Sequence, residues 1–212
     1  MSSRARGGWV STLRRFVTTA SGVERCDICG APVVAEHQHL LELTSRRLFC
    51  ACESCVRSLG DSEPFRLVVP KTAALDDFQL TDTQWEALQL PIDLAFLFVS
   101  TRDGRPVVIY PGAAGGMESS LSGEAWSNLA ATNPALSDIS PDVEALLINR
   151  TKGSRDYYRV SIDRCYALTG LIRQQWAGLS GGADLWNSID NFFSSLRSDG
   201  ASQRNARSRF HG

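Results

Sequence analysis

Two Cys-x-x-Cys pairs constrain this chain more than any other feature of its 212-residue sequence. The first pair is Cys26 and Cys29, and the second pair is Cys52 and Cys55. A Cys-x-x-Cys turn directs two thiolates toward one centre, and two such turns complete the tetrahedral S4 set that closed structural zinc sites use. The spacing therefore predicts a Zn²⁺ centre with these four cysteines as its ligands.

The residues around the two pairs predict a small zinc module over residues 22–62. Gly30 and Pro32 follow the first pair, as expected where a chain turns sharply around a metal. Residues 39–49 predict two short strands about a polar turn, and residues 56–60 predict a helical turn that ends at a glycine. A knuckle, a hairpin and a helix that opens on the second pair follow the order of a treble-clef or zinc-ribbon module.

Three further potential ligands lie close to the cysteine pairs. Cys50 precedes Cys52 by two residues, so on a strand both would face the same way. We expect Cys50 to be a core residue at the end of the hairpin, with a ligand or redox role as the alternative. His37 and His39 would share one face of a strand. They are either surface histidines or histidines that support the metal ligands from outside the site, or they form a second, labile metal site with Cys50.

Iron is the alternative metal, because rubredoxins hold iron with two Cys-x-x-Cys turns of a similar kind. A glycine commonly follows each rubredoxin turn. Here Gly30 follows the first pair, but Val56 follows the second. The sequence after Val56 favours a helix, so the pattern favours zinc and leaves iron and rubredoxin-like electron transfer as the alternative.

The longest part of the chain, residues 63–197, predicts an α+β domain with one antiparallel sheet of four or five strands and helices on one face. Thr81 and Gln84 form a capping box, and Asp103-Gly104 makes a hairpin turn between two apolar strands. Further strands are predicted over 65–70, 145–148 and 157–160, and further helices over 124–131, from a cap at Asp163 to 176, and over 185–196.

Both ends of the chain differ from its interior. In residues 1–21, Trp9, Leu13 and Phe16 fall at helical spacing and form an amphipathic segment. This segment either packs on its own domain or docks on a partner or a membrane surface. Residues 198–212 are polar and predict a disordered tail.

Charge and cysteine usage narrow the class of protein. The formal net charge of −1 argues against a general polyanion binder. The arginine-rich ends leave a nucleic-acid-binding zinc protein as an alternative. Cysteines clustered in Cys-x-x-Cys pairs, without a signal peptide or a transmembrane stretch, predict metal binding in a reducing cytoplasm.

The distribution of histidine argues against an enzyme. No histidine lies between His39 and His211, so a Ser-His-Asp or Cys-His set is hard to assemble in the main domain. We therefore expect no catalytic residues and a protein that acts by binding.

Several runs of this sequence resemble an uncharacterised bacterial family. They cover residues 26–32, 37–43, 48–55, 84–92, 141–150 and 178–186. The resemblance spans roughly residues 22–197 and excludes both basic ends. That family is encoded in gene clusters of actinobacterial-type NiFe-hydrogenases, beside maturation and accessory genes. The resemblance implies an accessory role, with a hydrogenase subunit or maturation factor as the protein partner.

The sequence as a whole therefore predicts a non-enzymatic, zinc-stabilised accessory protein that binds another protein. A metal-handling or electron-transfer protein, with nickel at His37, His39 and Cys50 or iron in the S4 site, is the first alternative. A nucleic-acid-binding zinc protein is the second.

Overall fold

The computed structural model describes residues 24–119, 121–177 and 181–209, with side chains up to residue 200. The predicted amphipathic segment with Trp9, Leu13 and Phe16 lies outside the described residues. Within them, the chain is α+β, and its strands form two antiparallel sheets. The main domain has a single sheet, as predicted, but with six strands and not four or five, and the strand predicted over 65–70 joins the sheet of the cysteine module instead.

The first sheet comes from the segment that contains both cysteine pairs. Its elements are β1 (Gln38–Glu42), β2 (Arg47–Ala51), helix α1 (Glu53–Leu59) and β3 (Phe65–Val68), with strand order β2-β1-β3. The predicted hairpin and helix are confirmed. β1 is the central strand, with β2 on one edge and β3 on the other. Leu40 and Leu41 lie on opposite faces of β1 and are both buried, so the small sheet is covered on both faces. Because β3 pairs with β1, the module extends past the boundary drawn at residue 62.

The second sheet contains six strands in the order β4-β9-β8-β5-β6-β7. They are β4 (Thr72–Ala74), β5 (Leu94–Ser100), β6 (Arg105–Gly112), β7 (Gly115–Ser119), β8 (Glu144–Asn149) and β9 (Asp156–Ser161). The hairpin at Asp103-Gly104 is confirmed. Both edge strands were missed, because β4 has three residues and β7 begins with two glycines, which disfavour strands.

Helices cover both faces of the six-stranded sheet, so the prediction of helices on one face was wrong. They are α2 (Asp82–Glu86), α3 (Gly123–Thr132), α4 (Ile162–Gln175) and α5 (Ala183–Arg209), with 3-10 turns at Pro134–Asp138 and Thr151–Gly153. Phe96 and Leu147 face the core under α4 and α5, whereas Leu97 packs in the core that contains Trp85 of α2. Every residue of β8 is buried, and a strand buried on both faces requires cover on both.

The boundaries of the last two helices differ from those predicted. Ser161, not Asp163, is the N-cap residue of α4, and Asp163 lies in the first turn. Helix α5 continues through Arg209, so residues 198–209 are helical and not disordered as predicted. Asp199 accepts a hydrogen bond of 2.9 Å from Arg164 of α4, and Gly200 packs beside β4.

The three-stranded sheet rests on α4. Leu41, Leu48 and Val68 belong to the same core cluster as Phe98 of the large sheet. Tyr166 of α4 donates a hydrogen bond of 3.3 Å from its hydroxyl to a backbone carbonyl in the β1–β2 turn. The module that holds the cysteines is thus packed against the main domain. No helix in the described residues is long and apolar enough to cross a bilayer.

Candidate metal centre

The four predicted ligand cysteines come together at one point. The Sγ atoms of Cys26, Cys29, Cys52 and Cys55 all lie within 4.8 Å of one another, and those of Cys29 and Cys52 are 3.6 Å apart. In a tetrahedral site with metal–sulfur bonds of about 2.3 Å, the sulfur atoms are about 3.8 Å apart. The donor set and its spacing therefore fit a metal ion bound by four thiolates.

The first pair lies in a tight knuckle. The backbone N–H of Gly30 donates to the carbonyl of Cys26 at 2.9 Å, and the N–H of Cys26 donates to the carbonyl of Ala31 at 2.8 Å. Gly30 has a φ of +76°, a conformation that favours glycine. Arg25 and Pro32 form a bridge that closes the turn. These bonds hold both thiols of the pair on the same side.

The second pair opens helix α1. Cys52 is the N-cap residue and Cys55 lies in the first turn, which brings both thiols to the same end of the helix. Val56 is buried against Leu40, so it anchors the helix on the small sheet. Gly60 ends the helix, and a Cβ atom there would come within 2.7 Å of the Val56 carbonyl oxygen.

The thiols differ in their affinity for protons. Burial raises the pKa of Cys26, but hydrogen bonds from backbone N–H groups, first that of Cys29, lower it more, so the pKa is about 6. Burial, followed by hydrogen bonds with the other three thiols, raises the pKa of Cys55 to about 12. The cluster thus ionises readily at one thiol and resists ionisation at another. A divalent cation removes this conflict, because metal binding displaces the thiol protons.

Cys50 does not join the four-cysteine group. Its N–H donates to a carboxylate oxygen of Asp27 at 2.9 Å, and its carbonyl accepts from the N–H of Asp27 at 2.8 Å. These two hydrogen bonds join β2 to the knuckle and align the two Cys-x-x-Cys turns. The side chain of Cys50 instead lies with His37 and His39 in a second group, whose ligand atoms are within 4.8 Å of one another.

Two acidic residues near this second group were missed by the sequence analysis. Asp163 of α4 lies 3.0 Å from His39 Nδ1, and Glu24 lies 3.4 Å from His37 Nδ1. Asp163 is 124 residues from His39 in the sequence, so no spacing pattern connects them. Cys165, the remaining cysteine, is fully buried in the main core.

Comparison with known proteins places this arrangement in a family. The family of unknown function DUF5947 matches residues 25–200, a range that contains both cysteine pairs, both histidines and every strand described above. No curated protein and no solved structure matches the chain. Because the family match covers far more than half of the sequence, this chain belongs to the DUF5947 family of unknown function.

Proposed function

We propose that this protein is a non-enzymatic accessory protein, stabilised by a structural zinc ion, that acts by binding another protein. The convergence of four thiols within 4.8 Å of one another carries this proposal. Zinc in a closed S4 site has no open position for water or substrate, so such a centre stabilises a fold. The order of knuckle, hairpin and helix supports a treble-clef or zinc-ribbon module.

The surroundings of the second pair favour zinc over iron. Helix α1 begins at the pair itself, and Val56, directly after Cys55, is buried in the small core. A rubredoxin turn commonly has glycine at that position. The helical start supports a zinc module and argues against rubredoxin-like electron transfer.

Exposed apolar residues on the module support a docking role. Four large apolar side chains are exposed among the described residues, and three of them, Ile28, Val34 and Val69, lie in or directly after the module. Val34 and Val69 are 71% and 62% exposed. Contiguous exposed apolar surface often marks a site of protein–protein interaction.

The nature of the partner rests on the resemblance described above. It indicates a NiFe-hydrogenase subunit or a maturation factor. The formal net charge of −1 makes a polyanionic partner the weaker candidate.

We expect Val34→Asp to reduce capture of hydrogenase components several-fold, because a charged side chain opposes burial in an apolar interface. The measurement is a quantitative pull-down from hydrogenase-expressing cells, with the melting temperature recorded in parallel. Met117→Asp, on β7 of the large sheet and 41% exposed, is the matched control and should leave capture unchanged. Equal capture by wild type and Val34→Asp would contradict a docking role for this surface.

Turnover by the purified protein alone, abolished by one polar substitution, would contradict the non-enzymatic proposal.

Deleting residues 1–21 tests the predicted amphipathic segment. We expect weaker partner capture with an unchanged melting temperature, because its Trp9, Leu13 and Phe16 would be interface anchors. The same pull-down and a thermal melt measure both quantities. A large fall in melting temperature with intact capture would assign the segment to packing on its own domain.

A further inference from the structure

Beside the four-cysteine centre lies a group of three side chains with metal-ligand chemistry. His39 of β1 pairs directly with Cys50 of β2, and His37 lies two residues before His39. The ligand atoms of the three residues are within 4.8 Å of one another, and the imidazole rings are 4.9 Å apart at 70°. Residues that face each other across a strand pair share one face of a sheet, and His37 lies just before the first residue of β1. The hairpin therefore presents two imidazoles and a thiol to one point.

The hydrogen bonds of the histidines assign their tautomers. His37 Nδ1 is 2.9 Å from the carbonyl oxygen of Val34, and His39 Nδ1 is 3.0 Å from a carboxylate oxygen of Asp163. Both oxygens are acceptors, so each Nδ1 carries the proton and donates it. In an imidazole that carries its single proton on Nδ1, the lone pair is on Nε2. Metal-bound histidines have this arrangement: one ring nitrogen binds the metal, and the N–H of the other donates to an oxygen acceptor that orients the ring.

The Nε2 atom of His37 is buried and has no hydrogen-bond partner among the described residues. The His37 side chain is only 9% exposed, so water reaches the ring poorly. A buried polar atom without a partner costs about 1–3 kcal/mol. A cation bound at Nε2 would remove that cost.

We propose that His37, His39 and Cys50 form a second metal site, separate from the four-cysteine centre, that takes a borderline divalent cation such as Zn²⁺ and keeps one coordination position open. Two imidazoles and a thiolate suit zinc and its late-transition-metal neighbours, whereas Mg²⁺ and Ca²⁺ require oxygen ligands. Three protein ligands leave the fourth tetrahedral position to water or to a donor from another molecule.

The two sites differ in their exchange behaviour. The four-cysteine centre is closed because four thiolates fill a tetrahedral set, although its Cys29 is exposed. The second site has one open position, and its His39 side chain is 16% exposed, so an incoming ligand can reach the ion. Metal should therefore leave and enter the second site readily while the first stays loaded. This makes the second site the part of the protein suited to handling a metal, beyond the stabilising role proposed above.

Zinc counting on the full chain tests the proposal. Protein equilibrated with excess Zn²⁺ and desalted should hold two equivalents, of which a weak chelator removes one. His37→Gln and Cys50→Ala should each hold a single equivalent that resists the chelator. Cys165→Ala, a cysteine far from both groups, should keep two. One equivalent in wild type, or a chelator-sensitive second equivalent in either variant, would overturn the site.

Cobalt and a positioning variant give independent readouts. Co²⁺ added to protein with a zinc-loaded first site should show thiolate-to-cobalt absorption from a single thiolate, absent in Cys50→Ala. Asp163→Asn should weaken Co²⁺ binding about 10- to 100-fold, because a carboxylate hydrogen-bonded to a ligand histidine holds its ring in place. Unchanged cobalt affinity in Asp163→Asn would contradict the assigned role of Asp163. If these variants keep the tightly bound zinc equivalent, the four-cysteine centre is intact. A loss of metal binding then concerns the second site alone.

Discussion

Replacing Cys26 by serine should remove the metal from the four-cysteine centre and unfold the module around it. Cys26 is buried, and backbone N–H groups already stabilise its thiolate, whereas a serine hydroxyl stays protonated and is a poor zinc ligand. Metal binding contributes on the order of 10–16 kcal/mol in zinc-finger peptides, which is enough to decide the folding of a module of this size. Cys55→Ser should have the same effect.

The rest of the protein should survive this loss. The six-stranded sheet has helices of its own on both faces, so its core does not depend on the metal. It would lose the packing of Leu41, Leu48 and Val68, together with polar contacts to the module such as the hydrogen bond from Tyr166 to the β1–β2 turn. We therefore expect limited proteolysis to cut within residues 24–62 while a fragment that contains the large sheet resists.

Metal content and thermal melting check this prediction. Cys165→Ala is the matched control, because it removes a fully buried thiol in the main core. It should keep its zinc and lose about 1 kcal/mol of stability from packing. A Cys26→Ser protein that retains one tight zinc would contradict the ligand set, as would zinc that is lost only when His37 or His39 is changed.

Replacing Glu144 by glutamine should destabilise the main domain by about 3 kcal/mol, because it removes the carboxylate that two partly buried cations share. Glu144 is 8% exposed and accepts hydrogen bonds from Lys71 at 3.0 Å, from Arg159 at 2.6 Å and from the N–H of Ser140 at 3.0 Å. The substitution keeps the shape of the side chain but leaves two cations without their carboxylate. Urea denaturation measures the loss.

The same carboxylate predicts how the loss depends on pH. Burial raises the pKa of Glu144, but the hydrogen bonds from Ser140, Lys71 and Arg159 lower it more, so the net pKa is below its ordinary value. A lowered native pKa means that the charged form stabilises the fold. That contribution is complete above the ordinary pKa and disappears as the pH falls through the native pKa. The stability gap between wild type and Glu144→Gln should therefore narrow in acid.

An exposed ion pair gives the control for Glu144→Gln. Lys152 and Asp190 are 2.8 Å apart, and both side chains are more than half exposed. Asp190→Asn should cost less than about 1 kcal/mol, since exposed pairs are weak. Equal losses in the two variants would contradict the special role of the buried pair.

Local features of this protein could be predicted from its sequence. The two cysteine turns, the β1–β2 hairpin, the capping box at Thr81 and the turn at Gly104 all depend on bonds between residues a few positions apart. Gly30 illustrates the reason, since the bond from its N–H to the carbonyl of Cys26 closes within five residues. Residue type and spacing determine such bonds before the chain has any tertiary structure.

Only the tertiary structure decided which distant residues meet. The pairing of β3 with β1, the helices on both faces of the large sheet and the contact of Asp163 with His39 have no counterpart in local spacing. Each arises from burial: apolar strands must be covered on both faces, and polar groups drawn inward must find partners. Whether His39 is a surface residue or a potential metal ligand thus depends on where helix α4 packs, because that helix carries the carboxylate that orients its ring.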